Sequence, residues 1–348
     1  MKILHLIFSL NVGGTESMLV DMANEQANLA EVSVAVVNRE FYVTLLSRLS
    51  ERVNLHLIGR DQGSMSISTI WRVNYLIATG GYDTVHCHNH NMIGLILPFY
   101  WKKTVLTVHT MGIVGKYLKR YKRVFAISDA VRQNVLDNNS IAPCTISNGV
   151  LADEIVMKPD ARNPQCHRTV RIVQVGRLEK MTKGQHLLIE AIRLLAELKI
   201  KVHLDFIGAG SSEDDLKRMV SDLGLKEQIT FLGLKEREFI YCCLKDYDLL
   251  VQPSYVEGFG LTVVEAMLAK VPVLVSDIEG PMEVIDRGTF GYHFKSGNSA
   301  DLARAILSFV DQKESVRNDL VERAYQHALD NYSLKNTARA YLQEYQLI

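Results

Sequence analysis

One stretch constrains the fold more than any other. Residues 249–267 read LLVQPSYVEGFGLTVVEAM, which is a short apolar run, a loop with two glycines and then a helical pattern. Such a strand–loop–helix unit is typical of a parallel α/β sheet. Ligands of these sheets bind at the carboxyl ends of the strands. The loop after Gln252 is therefore a candidate binding site.

The same loop carries chemistry suited to a sugar and a phosphate. Gly258 and Gly260 let backbone N–H groups approach a ligand closely, and the start of the helix favours an anion. Glu257 precedes the helix and Glu265 lies about two turns inside it. We expect the two carboxylates to contact different parts of one ligand, since carboxylates accept hydrogen bonds from sugar hydroxyls.

A second motif follows the strand predicted at Arg171–Val175. Residues 176–184 read GRLEKMTKG, so a strand end carries Arg177 and Lys183 just before a helical pattern. Arginine offers a planar fork of donors and lysine a compact charge, and together they can hold a diphosphate. Taken alone, this motif is also consistent with a solvated basic loop.

Strand–helix alternation extends through the chain and halts once. The linker-like interruption lies at Asp153–Thr169 and contains Pro159, Asn163 and Pro164. The sequence therefore predicts two nucleotide-binding folds in tandem, with a ligand cleft between them. Predicted strands before the interruption are Ile3–Phe8, Val32–Val37, Leu55–Ile58, Thr84–His86, Thr104–Val108 and Arg123–Ile127. Predicted strands after it are Arg171–Val175, His203–Ile207, Gln228–Leu232, Leu249–Gln252 and Val271–Ser276.

Length and composition agree with two globular domains. The 348 residues are 47% hydrophobic and 22% charged, which excludes a disordered chain or a coiled coil. The formal net charge of +0 gives no reason to expect a nucleic-acid partner. The longest apolar run, Met92–Trp101, is too short to cross a bilayer. Five cysteines without a CxxC pair favour a reducing compartment, so we expect a cytoplasmic location.

The ordered set of motifs resembles the retaining glycosyltransferases of family 4, which have the GT-B fold. The resemblance covers nearly the whole chain. Besides the two motifs above, it rests on Asn11–Glu16, Thr107–His109, Ser147–Val150, Phe206–Gly210, Thr230–Gly233 and Pro272–Asp277.

The resemblance implies a role for each matching residue. Arg177 and Lys183 would hold the donor diphosphate, and Glu265 would contact the nucleotide ribose. The two residues expected at the reacting sugar are His109 and Glu257. The remaining donor-binding positions are Gly14 near the phosphates, Leu234 at the base, and the backbone of Phe259, Gly260, Leu261 and Thr262.

The implied architecture is two Rossmann-like, doubly wound domains that face a central cleft. We expect an acceptor-binding domain at residues 1–160, completed by a C-terminal helix at 333–348, and a donor-binding domain at 161–332. The implied reaction is retaining transfer from a nucleoside-diphosphate sugar to a glycan or lipid-linked acceptor. It would need no metal or other cofactor, and surface-polysaccharide synthesis (capsule, O-antigen or exopolysaccharide) is the expected setting. A GT-B nucleotide-sugar epimerase and a non-catalytic relative that binds nucleotide sugars stay open as alternatives.

The chain departs from the family pattern at two places. Glu279 stands where the family often has a glycine, and Pro281 would stiffen the same loop, so we expect a reshaped donor pocket. Thr110 follows His109 where many family members have an acid, so a local histidine–acid pair is missing.

Three other patterns have competing interpretations. His86, His88 and His90 alternate along an extended segment and could bind zinc, but acceptor contact is the favoured reading and no metal is expected. Asp246-Tyr247-Asp248 is a D-x-D sequence, for which a role at a helix end or strand entry is favoured over metal binding. Gly208-Ala209-Gly210 lacks the third glycine of a dinucleotide motif, which disfavours NAD.

A basic cluster extends from Lys102 to Arg123. It holds seven cations and no acid. Trp101 directly precedes it, and Tyr117, Leu118 and Tyr121 are interleaved with the cations. One interpretation is a solvated helix face. The other is a surface that meets anionic lipid or a lipid-linked diphosphate acceptor, which would place the protein at the inner face of the membrane.

Overall fold

The computed structural model of the chain describes residues 1–11, 13–64, 66–159 and 169–348. The chain divides into two compact domains, the first made of Met1–Val150 with Tyr332–Ile348 and the second of Leu151–Asn331. Val12 of the glycine loop, Cys166, and the expected domain boundary between residues 160 and 161 lie outside the described residues. The other four cysteines, Cys87, Cys144, Cys242 and Cys243, are free thiols.

The first domain is built on a seven-stranded parallel sheet in the order β3-β2-β1-β4-β5-β6-β7. The strand order reverses between β1 and β4, and this reversal leaves a crevice at their carboxyl ends. Its strands are β1 (Lys2–Ile7), β2 (Glu31–Asn38), β3 (Val53–Arg60), β4 (Thr84–Cys87), β5 (Thr104–Val108), β6 (Arg123–Ala126) and β7 (Cys144–Thr145).

Helices of the first domain begin where the sequence supplies a cap. The side chain of Ser128 accepts a hydrogen bond from the Val131 amide at 3.0 Å and starts the helix after β6. Gly81, with φ +65°, ends the helix before β4. The helices are α1 (Gly14–Gln26), α2 (Val43–Leu46), α3 (Ile67–Gly80) and α4 (Asp129–Asn139).

The second domain repeats this plan with a six-stranded parallel sheet in the order β10-β9-β8-β11-β12-β13. Here the strand order reverses between β8 and β11. The strands are β8 (Val170–Val175), β9 (Val202–Ile207), β10 (Ile229–Gly233), β11 (Leu249–Gln252), β12 (Val273–Ser276) and β13 (Tyr292–Phe294). The helices are α5 (Lys180–Lys183), α6 (Gln185–Glu197), α7 (Glu213–Asp222), α8 (Arg237–Cys243), α9 (Leu261–Leu268), α10 (Glu279–Val284), α11 (Ser299–Asp311) and α12 (Glu314–Asn331).

The C-terminal helix α13 (Leu334–Tyr345) belongs to the first domain. It packs against α1, and the Val150 amide donates to the Tyr332 carbonyl at 2.9 Å just before the helix begins. Gly149 makes this contact possible, because a Cβ there would lie 2.6 Å from the Leu334 Cα. The Asn-Gly-Val sequence at 148–150 is therefore a docking point for the last helix.

The first domain ends at Val150 instead of continuing to residue 160. The reason is that the segment after Val150 is hydrogen-bonded within the second domain. The Val156 amide donates to the Tyr241 carbonyl at 3.2 Å, and the Lys158 amide donates to the Ala269 carbonyl at 2.8 Å.

Among the described residues, no helix combines the length and apolar character needed to span a membrane.

Candidate active site

The two motifs that the sequence singled out in the second domain meet at its strand-order reversal. Residues 176–184 follow β8, and residues 253–260 follow the neighbouring strand β11. Because β8 and β11 are parallel neighbours, both loops leave the same edge of the sheet.

Backbone contacts fasten the two loops to each other. The Thr182 carbonyl accepts hydrogen bonds from the amides of Tyr255 at 2.8 Å and Val256 at 3.3 Å. Gly184 has φ +67°, and a Cβ at this position would lie 1.9 Å from the Pro253 carbonyl oxygen. Only glycine fits that approach, so Gly184 sets the distance between the loops.

This docking brings Lys183 to Glu257. Lys183 Nζ lies 2.7 Å from Glu257 Oε2, and both side chains are mostly buried, with 26% and 19% of their surface exposed. The same carboxylate accepts hydrogen bonds from Gln252 Nε2 and from the Gly258 amide, each at 3.1 Å. Glu257 is therefore held in one orientation by three donors, one from each loop and one from the end of β11.

Helix α9 begins beside this ion pair. Its first flanking residue, Gly260, has φ +111°, and the amides of Leu261 and Thr262 lie in the first turn. The first amides of a helix have no partner inside the helix and attract anions. Phe259 is 1% exposed and anchors the loop in the core. Glu265 follows one turn later in α9 and is half-buried.

The other expected donor-site residues are more peripheral. The Arg177 guanidinium is largely exposed and pairs with Glu179, with 3.4 Å between Nη1 and Oε1. Leu234 follows β10 directly and is 54% exposed. In the first domain, Gly14 is the first residue of α1. The structure thus joins Lys183 to Glu257 and leaves Arg177 in contact with a different carboxylate.

The expectation of a stiffened loop at residues 278–281 was wrong. Glu279 and Pro281 lie in the first turn of α10, where a proline is tolerated because its missing N–H would have no helical partner. Glu279 pairs with Arg287 at 2.6 Å, and both side chains are 62% exposed. The close contact with the site is made by Gly280, where a Cβ would lie 2.4 Å from the Glu257 carbonyl oxygen.

The histidines of the first domain gather at its own strand-order reversal. His5 from β1 lies beside His86 and His88, which come from β4 and the residue just after it. His5 Nδ1 is 3.0 Å from His88 Nε2, and His88 Nδ1 is 3.1 Å from His109 Nε2. Burial lowers the pKa of His5 and of His109 to about 4. These rings are therefore neutral at physiological pH.

The expectation that His86 contacts an acceptor was wrong. His86 is fully buried, and its ring nitrogens are hydrogen-bonded to the Tyr345 hydroxyl at 2.6 Å and to Thr107 Oγ1 at 2.7 Å. His90 stands apart from the buried rings, is half-buried, and its carbonyl accepts from the Tyr121 hydroxyl at 3.0 Å. The alternating histidines therefore do not form one surface.

Several residues of these sites carried no readable signal in the sequence. His5, Gln26 and Tyr345 are far apart along the chain, and Gln252 resembles an ordinary strand residue. A buried histidine inside the apolar run of β1 was the one available hint, because an isolated polar side chain in a core needs a partner. Which side chain becomes the hydrogen-bond partner of His5 depends on which strands are neighbours in the sheet.

Two clusters of possible metal ligands are engaged in hydrogen bonds within their own domains. His5, His86 and His88 offer nitrogens within 4.8 Å of one another, and these nitrogens are hydrogen-bonded to side chains of the first domain. The D-x-D sequence precedes β11. Asp248 accepts from the Arg171 amide at 3.0 Å and pairs with Lys158, and Tyr247 donates to Asp205 at 2.9 Å. The favoured strand-entry role fits these contacts.

The Gly208–Gly210 loop also has a structural role. A Cβ at Gly208 would lie 2.0 Å from the Gly176 carbonyl oxygen, and one at Gly210 would lie 2.5 Å from that of Leu178. These glycines let the loop after β9 pack closely on the Arg177 loop.

The basic cluster is not one helix face. It extends over two short 3-10 helices, Pro98–Lys103 and Leu118–Arg120, and the strand β5 between them. Lys103 donates to the Tyr82 carbonyl at 2.6 Å, and Arg123 pairs with Glu344 at 2.7 Å, so these two cations serve the fold. The exposed cations that are left are Lys102, Lys116, Lys119, Arg120 and Lys122.

Comparison with known proteins identifies the family. Residues 161–327 match the family model described as glycosyl transferases group 1, and residues 12–154 match the one described as glycosyltransferase family 4. An uncharacterised glycosyltransferase of Methanocaldococcus jannaschii is 30% identical over 78% of this chain and 77% of its own length. The chain belongs to the family 4 glycosyltransferases.

Two further similarities agree with this assignment. A phosphatidyl-myo-inositol mannosyltransferase of Mycobacterium leprae is 28% identical over 77% of this family 4 chain and 72% of its own length. Anabaena HepE, solved with UDP and glucose, superimposes with a TM-score of 0.82 at 19% identity and covers 100% of both chains. The protein is thus a glycosyltransferase with the GT-B fold.

Proposed function

We propose that this glycosyltransferase moves a sugar from a nucleoside diphosphate to a glycan or lipid-linked acceptor, with retention of anomeric configuration, in surface-polysaccharide synthesis. The observation that supports it best is the Lys183–Glu257 pair beside the first amides of α9. It combines a cation, oriented amides and a fixed carboxylate at one strand-order reversal.

The proposed step leaves a nucleoside diphosphate whose negative charge must be stabilised. Lys183, Arg177 and the first amides of α9 would supply positive charge and oriented dipoles for it. Lys183 would leave Glu257 for the diphosphate, which frees the carboxylate for hydroxyls of the sugar. These groups can do this without a divalent cation or another cofactor, so we propose metal-independent transfer.

We propose that configuration is retained because the acceptor attacks the anomeric carbon on the same face from which the diphosphate departs. The departing phosphate oxygen would take the acceptor proton. Glu257 would position the sugar and would not attack it, because Gln252 and the Gly258 amide still hold its carboxylate after Lys183 has turned to the diphosphate. The configuration of the product at the anomeric carbon, read by NMR before it equilibrates, tests this proposal, and an inverted product would refute it.

The relatives support the substrate class. The Anabaena structure contains UDP and glucose, which is consistent with a nucleotide-sugar donor. The mycobacterial relative is named for mannosyl transfer to a phosphatidyl-myo-inositol, which is consistent with a lipid-linked acceptor. We propose that this chain uses ligands of the same two classes.

Lysine substitutions in one short helix test the assignment of the diphosphate site. Lys183→Ala should lower turnover at least about a hundredfold, the usual scale for the loss of a charge stabiliser. Lys180→Ala removes the same charge from α5, where Lys180 pairs with Asp215, and should retain turnover. The measurement is acceptor-dependent release of nucleoside diphosphate, and equal rates for both variants would refute the assignment.

The same assay separates the alternatives. A transferase releases nucleoside diphosphate in proportion to added acceptor. An epimerase would convert the sugar of its donor without an acceptor. A non-catalytic relative would bind a donor tightly and give no turnover over an acceptor panel.

We also propose that the exposed cations of the basic cluster dock the protein on anionic lipid. The Arg120 guanidinium lies 4.9 Å from the Trp101 ring and 4.8 Å from the Tyr117 ring. Val114 and Phe99, from the same stretch of sequence, are 71% and 60% exposed. Interleaved cations and apolar side chains suit a membrane interface at about 1 kcal/mol for each cation.

Sedimentation with vesicles tests the docking surface. The protein should bind phosphatidylglycerol vesicles at low salt and should not bind phosphatidylcholine vesicles. Replacement of Lys116, Lys119 and Lys122 by glutamine should weaken binding, whereas the same change at Lys199, Lys201 and Lys226 of the second domain should not. Absence of binding to the anionic vesicles would end the proposal.

A further inference from the structure

A line of buried polar side chains extends through the first domain from α1 to the end of β5. His5 Nε2 lies 2.8 Å from Gln26 Oε1, and His5 Nδ1 lies 3.0 Å from His88 Nε2. His88 Nδ1 lies 3.1 Å from His109 Nε2. Two ring nitrogens can form a hydrogen bond only when one carries a proton and the other a lone pair.

The donor and acceptor in each of these hydrogen bonds follow from the first residue of the series, Gln26. Gln26 Oε1 can only accept, so His5 Nε2 carries a proton and His5 Nδ1 carries a lone pair. His88 therefore donates to His5 from Nε2 and accepts at Nδ1. His109 donates from Nε2, which leaves a lone pair on its Nδ1.

The three rings must be neutral for this pattern to hold. Burial lowers the pKa of His88 well below its ordinary value, as it does for His5 and His109, and the neighbouring histidines lower it further. The Nδ1 atom of His109 is buried and has no hydrogen-bond partner within the described part of the chain. A buried acceptor of this kind needs a donor from water or from a ligand.

We infer that Gln26, His5 and His88 are positioning residues that hold the His109 proton on Nε2 and present His109 Nδ1 as an acceptor for a sugar hydroxyl. The identity of the ligand rests on the proposed function. The tautomer of His109 rests on the hydrogen bonds of the first domain and on the neutral state of its three buried rings.

This arrangement has a consequence for selectivity. A neutral ring with a lone pair binds a hydroxyl, which can donate, and rejects phosphate and carboxylate oxygens, which can only accept. A neutral acceptor also places no positive charge beside a sugar ring that becomes electron-poor as the leaving group departs. An acid after His109 is not needed to orient the ring, because His88 does this from the next strand.

NMR of the ligand-free full chain labelled with ¹⁵N-histidine tests the inference directly. We expect protons on Nε2 of His5, His88 and His109, and ¹⁵N–¹⁵N couplings across both ring-to-ring hydrogen bonds. Signals are assigned by single replacement of each ring. A proton on His109 Nδ1, or the absence of both couplings, would overturn the inference.

Variants at residue 88 separate positioning from structural support. A glutamine can accept from His109 and donate to His5, whereas a leucine can do neither. His88→Leu should lower kcat by about tenfold, the scale of one lost hydrogen bond, with a smaller change in KM for the donor. His88→Gln should recover most of the loss, and His56→Gln, on β3 outside the chain of histidines, should have no effect.

The rate assay uses the best donor among UDP-glucose, UDP-N-acetylglucosamine and GDP-mannose. Equal losses for the leucine and glutamine variants would contradict a positioning role. If no donor is turned over but the tautomers and couplings are as expected, the proposed function fails and the hydrogen-bond chain stands. If turnover is normal and the couplings are absent, the proposed chain of hydrogen bonds is refuted and the proposed function stands.

Discussion

The substitution Gly184→Ala tests how the two loops of the proposed donor site are held together. Gly184 has φ +67°, and an added Cβ would lie 1.9 Å from the Pro253 carbonyl oxygen. Gly224 offers a matched control in the same domain, because its φ is +69° and an added Cβ there would meet nothing within 4 Å. Both substitutions force alanine into the left-handed region, and only Gly184→Ala adds a clash.

The difference between the two variants therefore isolates the clash. The left-handed conformation costs alanine about 1–2 kcal/mol at either position, partly offset by a stiffer unfolded chain. Overpacking against backbone atoms adds about 1–3 kcal/mol at Gly184 alone. We therefore expect Gly184→Ala to lower the free energy of unfolding of the second domain by about 1–3 kcal/mol more than Gly224→Ala does.

Calorimetry can measure this loss in the intact chain. Both tryptophans, Trp71 and Trp101, lie in the first domain, so a thermal transition without a tryptophan fluorescence change reports the second domain. At a temperature where both variants are folded, Gly184→Ala should also lower turnover, since the shifted loop would move Lys183 out of its position beside Glu257 and away from the proposed diphosphate site. Equal transition temperatures for the two variants would refute the close approach on which the site geometry rests.

Two further predictions concern the first domain, and both use tryptophan fluorescence in urea. Gly149→Ala should destabilise the first domain by about 1–3 kcal/mol, because an added Cβ would lie 2.5 Å from Thr337 Oγ1. Gly94→Ala is the control, since an added Cβ at Gly94 meets nothing within 4 Å. Equal effects of the two substitutions would exclude Gly149 as the docking point of α13. Acidification from about pH 7 to pH 5 should destabilise the first domain by about 2 kcal/mol for each of His5 and His109. The pKa of each ring is about 4 in the folded protein, whereas the ordinary histidine pKa is about 6.5. The unfolded state therefore binds more protons than the folded state between these pH values. His5→Gln should remove one such contribution, and an unchanged pH dependence would contradict the assignment of a neutral buried ring.

Local sequence patterns were sufficient for much of the architecture. The strands at Thr104–Val108 and Leu249–Gln252 have the predicted bounds, because short apolar runs between turn residues have few other conformations in an α/β chain. The two strands that the pattern missed, Cys144–Thr145 and Tyr292–Phe294, are short edge strands whose residues carry no continuous apolar run.

The sequence by itself determined the chemistry of the proposed donor site. Lys183, Glu257 and the glycines around them each follow a strand end, and parallel neighbours bring such ends together without further information. What the sequence did not determine was which loop contacts are tight. That depended on backbone approaches such as the one at Gly184, which arise only in the tertiary structure.

The histidine chain was decided by tertiary structure alone. His5, His88 and Gln26 become neighbours because β4 pairs with β1 and α1 covers them, and His86 is separated by 259 positions from the Tyr345 hydroxyl it contacts. Local patterns report which residues form a strand and which face they occupy. They do not report strand order, and strand order determines which polar side chains share a buried space and therefore which of them must bond to one another.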